Sequence, residues 1–116
     1  MGFMLIYKIF RDNEWHDFLA TGETPGAPVD LADGFVHFST GAQLAETARK
    51  HFAGAEGLML LACDSAAMGP ALRWEISRGG AHFPHLYRVL LQADLLWAQP
   101  LPWVDGAHQF PEGTVA

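Results

Sequence analysis

Read for the recurrence of apolar and polar positions, the chain divides into short segments of two periods. Residues 4–10 are apolar except around Tyr7 and Lys8 and predict a first strand. Trp15, Phe18 and Leu19 recur at helical spacing within residues 14–20, a segment that Asp12 or Asn13 can cap and Gly22 ends. Residues 21–33, rich in Gly, Pro, Asp and Thr, read as a long surface loop, either a lid or an ordinary connector. Asp33-Gly34 then turns the chain into a short strand, residues 35–38, in which His37 takes the face opposite Val36 and Phe38. Thr40 and Gln43 stand at capping-box spacing. The helix they start runs to about Phe52, with Leu44, Ala48, His51 and Phe52 on its buried face and Gly54 as its stop.

The second half reads mainly as strands. Residues 57–64 form the most apolar run and predict a central strand. After the Gly69-Pro70 break, residues 72–78 alternate, with Leu72, Trp74 and Ile76 on one face and Arg73, Glu75 and Ser77 on the other. Pro84 holds Phe83 extended and cannot donate to a ladder, which puts residues 81–87 at a sheet edge or in a loop. Residues 89–97 predict a last strand before a proline-broken tail. With no repeat and no second domain, several strands and one or two short helices predict a single α+β domain over residues 1–116. Its predicted core comprises Ile6, Phe10, Phe18, Phe35, Phe38, Leu44, Ala48, Leu58, Leu60 and Trp74.

Composition narrows the partners. Half the residues are hydrophobic and 17% are charged, which makes a globular chain able to build a core without disulfide or metal staples. Seven basic against thirteen acidic residues, none of the basic ones in a run, disfavour nucleic acid as the main partner. The apolar opening is interrupted by Lys8 and lacks the flanks of a signal peptide or membrane span, and Ile6 stands where myristoylation of Gly2 requires Ser or Thr. The single cysteine, Cys63, excludes an internal disulfide framework, suits a reducing cytoplasm and reads as a small buried hydrophobe. A small molecule remains as the expected partner; the oligomeric state is open.

Candidate chemistry lies in His37, Arg73, Glu75, His85 and Tyr87, polar residues embedded in the most apolar parts of the chain. Each has a structural explanation taken singly: a core histidine, a cross-strand pair, a turn histidine. Jointly they predict one concavity, because a buried polar group needs a partner or a purpose. The strand carrying His37 also ends at the Ser39 and Thr40 hydroxyls and at helix amides that favour an anion. A metal site from His37, Glu75 and His85 is chemically conceivable, but no HExxH or comparable spacing supports one.

The pieces Asp33-Gly34-Phe35-Val36-His37-Phe38-Ser39-Thr40, Gln43-Leu44, Thr47-Ala48, Arg73-Trp74-Glu75 and Phe83-Pro84-His85-Leu86-Tyr87 occur in an order that resembles a small bacterial family. That family is catalogued as domain-of-unknown-function family 952, and the resemblance runs from Ile6-Tyr7-Lys8 to Phe110-Pro111. It implies a fold similar to the ADP-ribosyltransferases, a split antiparallel sheet that clasps NAD in active relatives. The sequence departs from the family around Thr24, which lacks an aromatic neighbour, and at Arg88-Val89, where a small residue and a proline are expected. By resemblance, His37 is expected to hydrogen-bond the ribose with Ser39 or Thr40 behind it, and Tyr87 or Trp15 to stack on the ring. Glu75 is then the carboxylate facing the cationic transition state, although the transferase glutamate comes from a later strand. His37, Arg73 and His85 also resemble the set of the tRNA 2′-phosphotransferases, but the acidic surface ranks a small-molecule or protein acceptor above RNA. The expected function is therefore binding of NAD or a related nucleotide by His37, Ser39, Thr40, Arg73, His85 and Tyr87, with Glu75 and His37 transferring or hydrolysing ADP-ribose. The alternative is a non-catalytic binding module on the same fold.

Overall fold

The computed structural model describes residues 4–115, the side chain of Arg78 excepted; Gly2, and with it the expectation about myristoylation, lies outside them. The fold is mixed α+β with antiparallel sheets. β1 (Leu5–Phe10), β4 (Ser39–Thr40), β5 (Leu58–Asp64) and β9 (Leu95–Leu101) form a four-stranded sheet in the order β4-β1-β5-β9. β3 (Val36–His37), β6 (Leu72–Ile76) and β7 (His82–Leu86) form a three-stranded sheet in the order β3-β7-β6. The run from Val36 to Thr40 therefore changes sheets at Phe38: Val36 and His37 pair with β7, Ser39 and Thr40 with β1.

The inner strands of the four-stranded sheet, β1 and β5, are buried on both faces, which accounts for the unbroken apolar run of β5. Ile6, Phe10, Leu61 and Cys63 pack with Phe18 of α1 (Asp12–Thr21), while Tyr7, Ile9, Leu58, Leu60 and Ala62 pack with Leu44 and Ala48 of α3 (Gly41–Phe52). Thr40 caps α3 as its spacing predicts, accepting from the Gln43 amide at 3.3 Å while Gln43 Oε1 accepts from the Thr40 amide at 3.0 Å. Among the described residues no helix is long and apolar enough to cross a membrane.

Several expectations are corrected. Residues 21–33 are not one loop: they hold β2 (Glu23–Thr24) and a third helix, α2 (Pro28–Asp33). Pro28 starts α2 with its φ already set, the Asp30 carboxylate accepts from the Ala27 amide at 2.7 Å, and Gly34, at φ 86°, closes the end. The residue preceding α1 is Arg11, not Asp12 or Asn13, and its amide donates to Glu14 at 2.8 Å.

β7 is a central strand, not an edge. The Pro84 carbonyl accepts from Phe38 N at 3.0 Å, so the donor that proline lacks falls on the side of short β3 and leaves the β6–β7 ladder intact. The last predicted strand is broken into β8 (Leu90–Leu91) and β9 by a turn in which Asp94 accepts from Arg88 and from the Leu91 amide. That ion pair is the work done by Arg88, one of the departures from the family pattern. β10 (Trp103–Val104) and β11 (Ala107–His108) form a hairpin whose Asp105-Gly106 turn has both φ angles positive, the geometry that matches strand twist.

Eight of the ten expected core residues are buried, but Phe35 is only half-buried and Trp74 is 41% exposed. Trp74 sits on the outermost strand of the smaller sheet, where one face meets solvent. Leu19 and His51, expected on buried helix faces, are exposed.

Candidate functional site

Where the two sheets part, a cleft of about 760 Å³ opens, within the size range of small-molecule sites. Tyr7, Lys8 and Ile9 of β1 line it, together with His37, Phe38 and Ser39 at the crossing between sheets. Arg11 and Glu14 come from the start of α1, Leu44, Thr47, His51 and Phe52 from α3, and Phe83 and His85 from β7. The wall is largely apolar and aromatic, but its charged groups are not a sample of the whole chain. In a protein of net charge −6 the lining holds Lys8, Arg11 and three of the six histidines against one carboxylate, Glu14.

Beneath this wall lies a fully buried carboxylate. Asp30, at 1% exposure, receives Lys8 Nζ at 2.7 Å, His37 Nδ1 at 2.6 Å, the His37 amide at 3.0 Å and the Ala27 amide at 2.7 Å. Gly26 packs directly against its side chain, so a Cβ there would collide with it. Burial pushes the Asp30 carboxyl up, but the His37 hydrogen bond and the Lys8 charge outweigh it and hold the group below its ordinary range. Burial in turn draws the Lys8 ammonium below the usual lysine value, against the pull of Asp30. The second ring nitrogen of His37, Nε2, faces Asp33 Oδ2 at 3.0 Å, and both nitrogens donate only when the ring carries two protons.

A second histidine–carboxylate pair stands alongside. His85 Nδ1 meets Glu75 Oε1 at 2.8 Å, and Tyr87 donates its hydroxyl to the same oxygen at 2.7 Å. These two hydrogen bonds, from His85 first and then Tyr87, hold the Glu75 carboxyl below its ordinary value and push the Tyr87 phenol up. With Nδ1 engaged, Nε2 of His85 has no protein partner among the described residues. Phe35 stacks on His85 with ring centroids 4.2 Å apart, and the His37 and His85 rings are 5.2 Å apart.

The two histidines thus share one face, as the concavity expectation requires. His37, Ser39 and His85 line the cleft, with Ser39 Oγ 2.9 Å from Thr47 Oγ1. Arg73, Glu75 and Tyr87 do not line it: they stand behind His85, with the Arg73 guanidinium over the Tyr87 ring. Thr40 is spent on the α3 cap, and Trp15 packs against Phe18. Cys63 is buried in the core, which pushes its thiol up to about 12. Among the described residues no group of three or more His, Cys, Asp or Glu is arranged to hold a metal ion.

Sequence reasoning overlooked Lys8, Asp30 and Asp33, and with them Arg11 and His51. One signal was present. A lysine inside an apolar strand implies a buried partner carboxylate, and Pro28-Val29-Asp30 places one in a helix's first turn.

The family pattern described as protein of unknown function (DUF952) matches residues 9–98. This chain belongs to the DUF952 family. Solved structures share the fold. The crystal structure of protein CC0527 from Caulobacter crescentus is 49% identical, with a TM-score of 0.86 over 90% of this chain and 93% of that one. The solution NMR structure of CC0527 is 47% identical, with a TM-score of 0.81 over 90% of each chain. No functionally curated protein matches the chain.

Proposed function

We propose that the cleft of this DUF952 protein binds NAD or a related nucleotide, and that its parted antiparallel sheets are a version of the ADP-ribosyltransferase-like arrangement. One observation carries the reading: an arginine and three histidines set in an aromatic and apolar wall, on a chain whose net charge is −6. An anionic ligand with flat rings suits such a wall, because the charge gains partners while the rings leave water. Arg11 holds the phosphates, while Lys8 stays committed to Asp30. Phe38, Phe52 and Phe83 offer ring contacts inside the cleft, where Tyr87 and Trp15 do not reach. His37 is kept in place by its buried bond to Asp30, and its outer bond to the half-exposed Asp33 is the one a ribose hydroxyl exchanges.

NAD supplies a glycosidic bond to nicotinamide whose cleavage builds positive charge on the ribose. The protein answers with its histidine–carboxylate pairs. Glu75 accepts the Nδ1 proton of His85 and so leaves Nε2 as the acceptor facing the cleft, able to take a proton from a water or an acceptor hydroxyl. Glu75 then acts on charge through His85 instead of touching the ribose.

Titration calorimetry with NAD, ADP-ribose and nicotinamide mononucleotide tests the binding half. Heat is expected with at least one of them, reduced about tenfold or more in affinity by Arg11→Ala, which removes a charged hydrogen bond. No heat at millimolar ligand, an affinity of about −4 kcal/mol or weaker, rejects the reading. The catalytic half is read from nicotinamide release: Glu75→Gln is expected to lower turnover and leave binding intact. The position of Glu75 outside the lining favours a second reading, a non-catalytic nucleotide-binding module, which calorimetric binding without any nicotinamide release would select.

A further inference from the structure

The outer strand of the smaller sheet has a free edge and a sequence complementary to itself. β6 pairs with β7 on one side and with no strand on the other among the described residues. The Ala71 carbonyl accepts from Tyr87 N at 2.8 Å and Ser77 N donates to the Ala81 carbonyl at 2.9 Å, so the odd-numbered residues turn their backbone groups toward β7. Leu72, Trp74 and Ile76 therefore turn theirs outward. Leu72 N is used by the Gly69 carbonyl in the preceding turn, which leaves the Leu72 carbonyl and the amides and carbonyls of Trp74 and Ile76 on the open edge. Leu72-Arg73-Trp74-Glu75-Ile76 has no proline, no lysine and no bulge to block pairing along this edge. Trp74 is 41% exposed and Ile76 68%.

We propose that two copies of this chain pair through β6, antiparallel about a two-fold axis at Trp74, and join their smaller sheets into one. That register sets Trp74 opposite Trp74, Leu72 opposite Ile76, and Arg73 opposite Glu75 on both sides of the axis. The outward groups match it: each Trp74 amide donates to the other Trp74 carbonyl, and each Ile76 amide donates to the other Leu72 carbonyl. Arg73 and Glu75 form the closely spaced pairs between those bonds, where opposite charges attract most. Glu75 uses Oε1 for both His85 and Tyr87, so among the described residues Oε2 is left to take the second copy's Arg73. An axis moved to Arg73 or Glu75 sets like charges face to face. The second copy is thus the occupant that the charge order of this strand selects, and a C2 dimer of this kind closes on itself, using the β6 edge of both copies.

Sedimentation equilibrium from about 1 µM to 1 mM, the range expected for a small interface, tests the pairing. The wild-type chain is expected to pass from monomer to dimer within it. Arg73→Glu and Glu75→Arg each oppose like charges in the homodimer and are expected to raise the dissociation constant about tenfold or more. An equimolar mixture of the two variants is expected to dimerise again, because every opposed pair in the mixed dimer then carries opposite charges. Trp74→Pro removes the central outward amide without touching the β6–β7 ladder, and is expected to give a folded monomer throughout, with circular dichroism as the check. A wild-type chain that stays monomeric at the top of the range overturns the proposal. So does dimerisation of either charge variant at wild-type strength, a mixture that remains monomeric, or a folded Trp74→Pro chain that still dimerises.

Discussion

Two histidine–carboxylate pairs stand side by side in this protein, with ring centroids 5.2 Å apart, and their surroundings give them different work. Asp30 is buried, its side chain wholly out of solvent, and it gathers a lysine, a histidine and two backbone amides from β1, β3 and the turn before α2. Glu75 lies on the outermost strand with 36% of its side chain exposed, and among the described residues it accepts hydrogen bonds from His85 and Tyr87. The same two functional groups form a structural joint in the first case and an adjustable bond in the second. What separates them is desolvation. A buried carboxylate cannot lose a partner without leaving a charge uncompensated, whereas water replaces any partner that Glu75 loses.

The largest expected effect tests the joint itself. Asp30→Asn leaves the Lys8 ammonium buried without a counter-charge, and urea denaturation is expected to show a loss of about 3–5 kcal/mol. Lys8→Met should cost less, about 1–3 kcal/mol, because Asp30 keeps its histidine and both amides. A Lys8→Met loss equal to that of Asp30→Asn would mean that the salt bridge alone holds the joint. Acid provides a third probe. Because the folded protein holds the Asp30 carboxyl below its ordinary value, its contribution is fully present above the unfolded carboxylate range, near about pH 4, and is lost as pH falls through the depressed value. Urea midpoints measured in steps through that window should fall more steeply for wild type than for Asp30→Asn. The smallest effect on stability belongs to the other pair. Glu75→Gln should leave the urea midpoint nearly unchanged while the nitrogen chemical shifts of His85 move, since the amide no longer fixes the tautomer of the ring. A large loss of stability there would erase the contrast.

The two pairs were not equally legible. His85 and Glu75 could be read from the alternation of two strands, since Arg73 and Glu75 share a face and the Phe-Pro-His-Leu-Tyr run faces them across the ladder. Two things were not legible there: a proline reads as an edge marker, whereas the Pro84 carbonyl pairs with Phe38 and its missing amide costs β6 nothing, and shared strand phase does not bring Arg73, Glu75 and Tyr87 into the cleft lining. Asp30 was hidden for a different reason. It lies in a stretch whose Gly, Pro and Asp content reads as loop, and its partners Lys8 and His37 come from strands at other points of the chain.

The sequence by itself determined the local elements: β1, the apolar β5, and α3 with its Thr40–Gln43 cap, each set by periodicity or by side chains reaching a few residues away. It also determined the family, because recognition rests on residues in order and not on their arrangement in space. Tertiary structure alone decided which polar residues share a wall. Val36 to Thr40 had to cross from one sheet to the other for Lys8, His37 and His85 to meet, and α2 had to dock for Asp30 to reach them. Burial, which makes one carboxylate a joint and leaves another adjustable, is a property of packing between distant segments, and no window of sequence contains it.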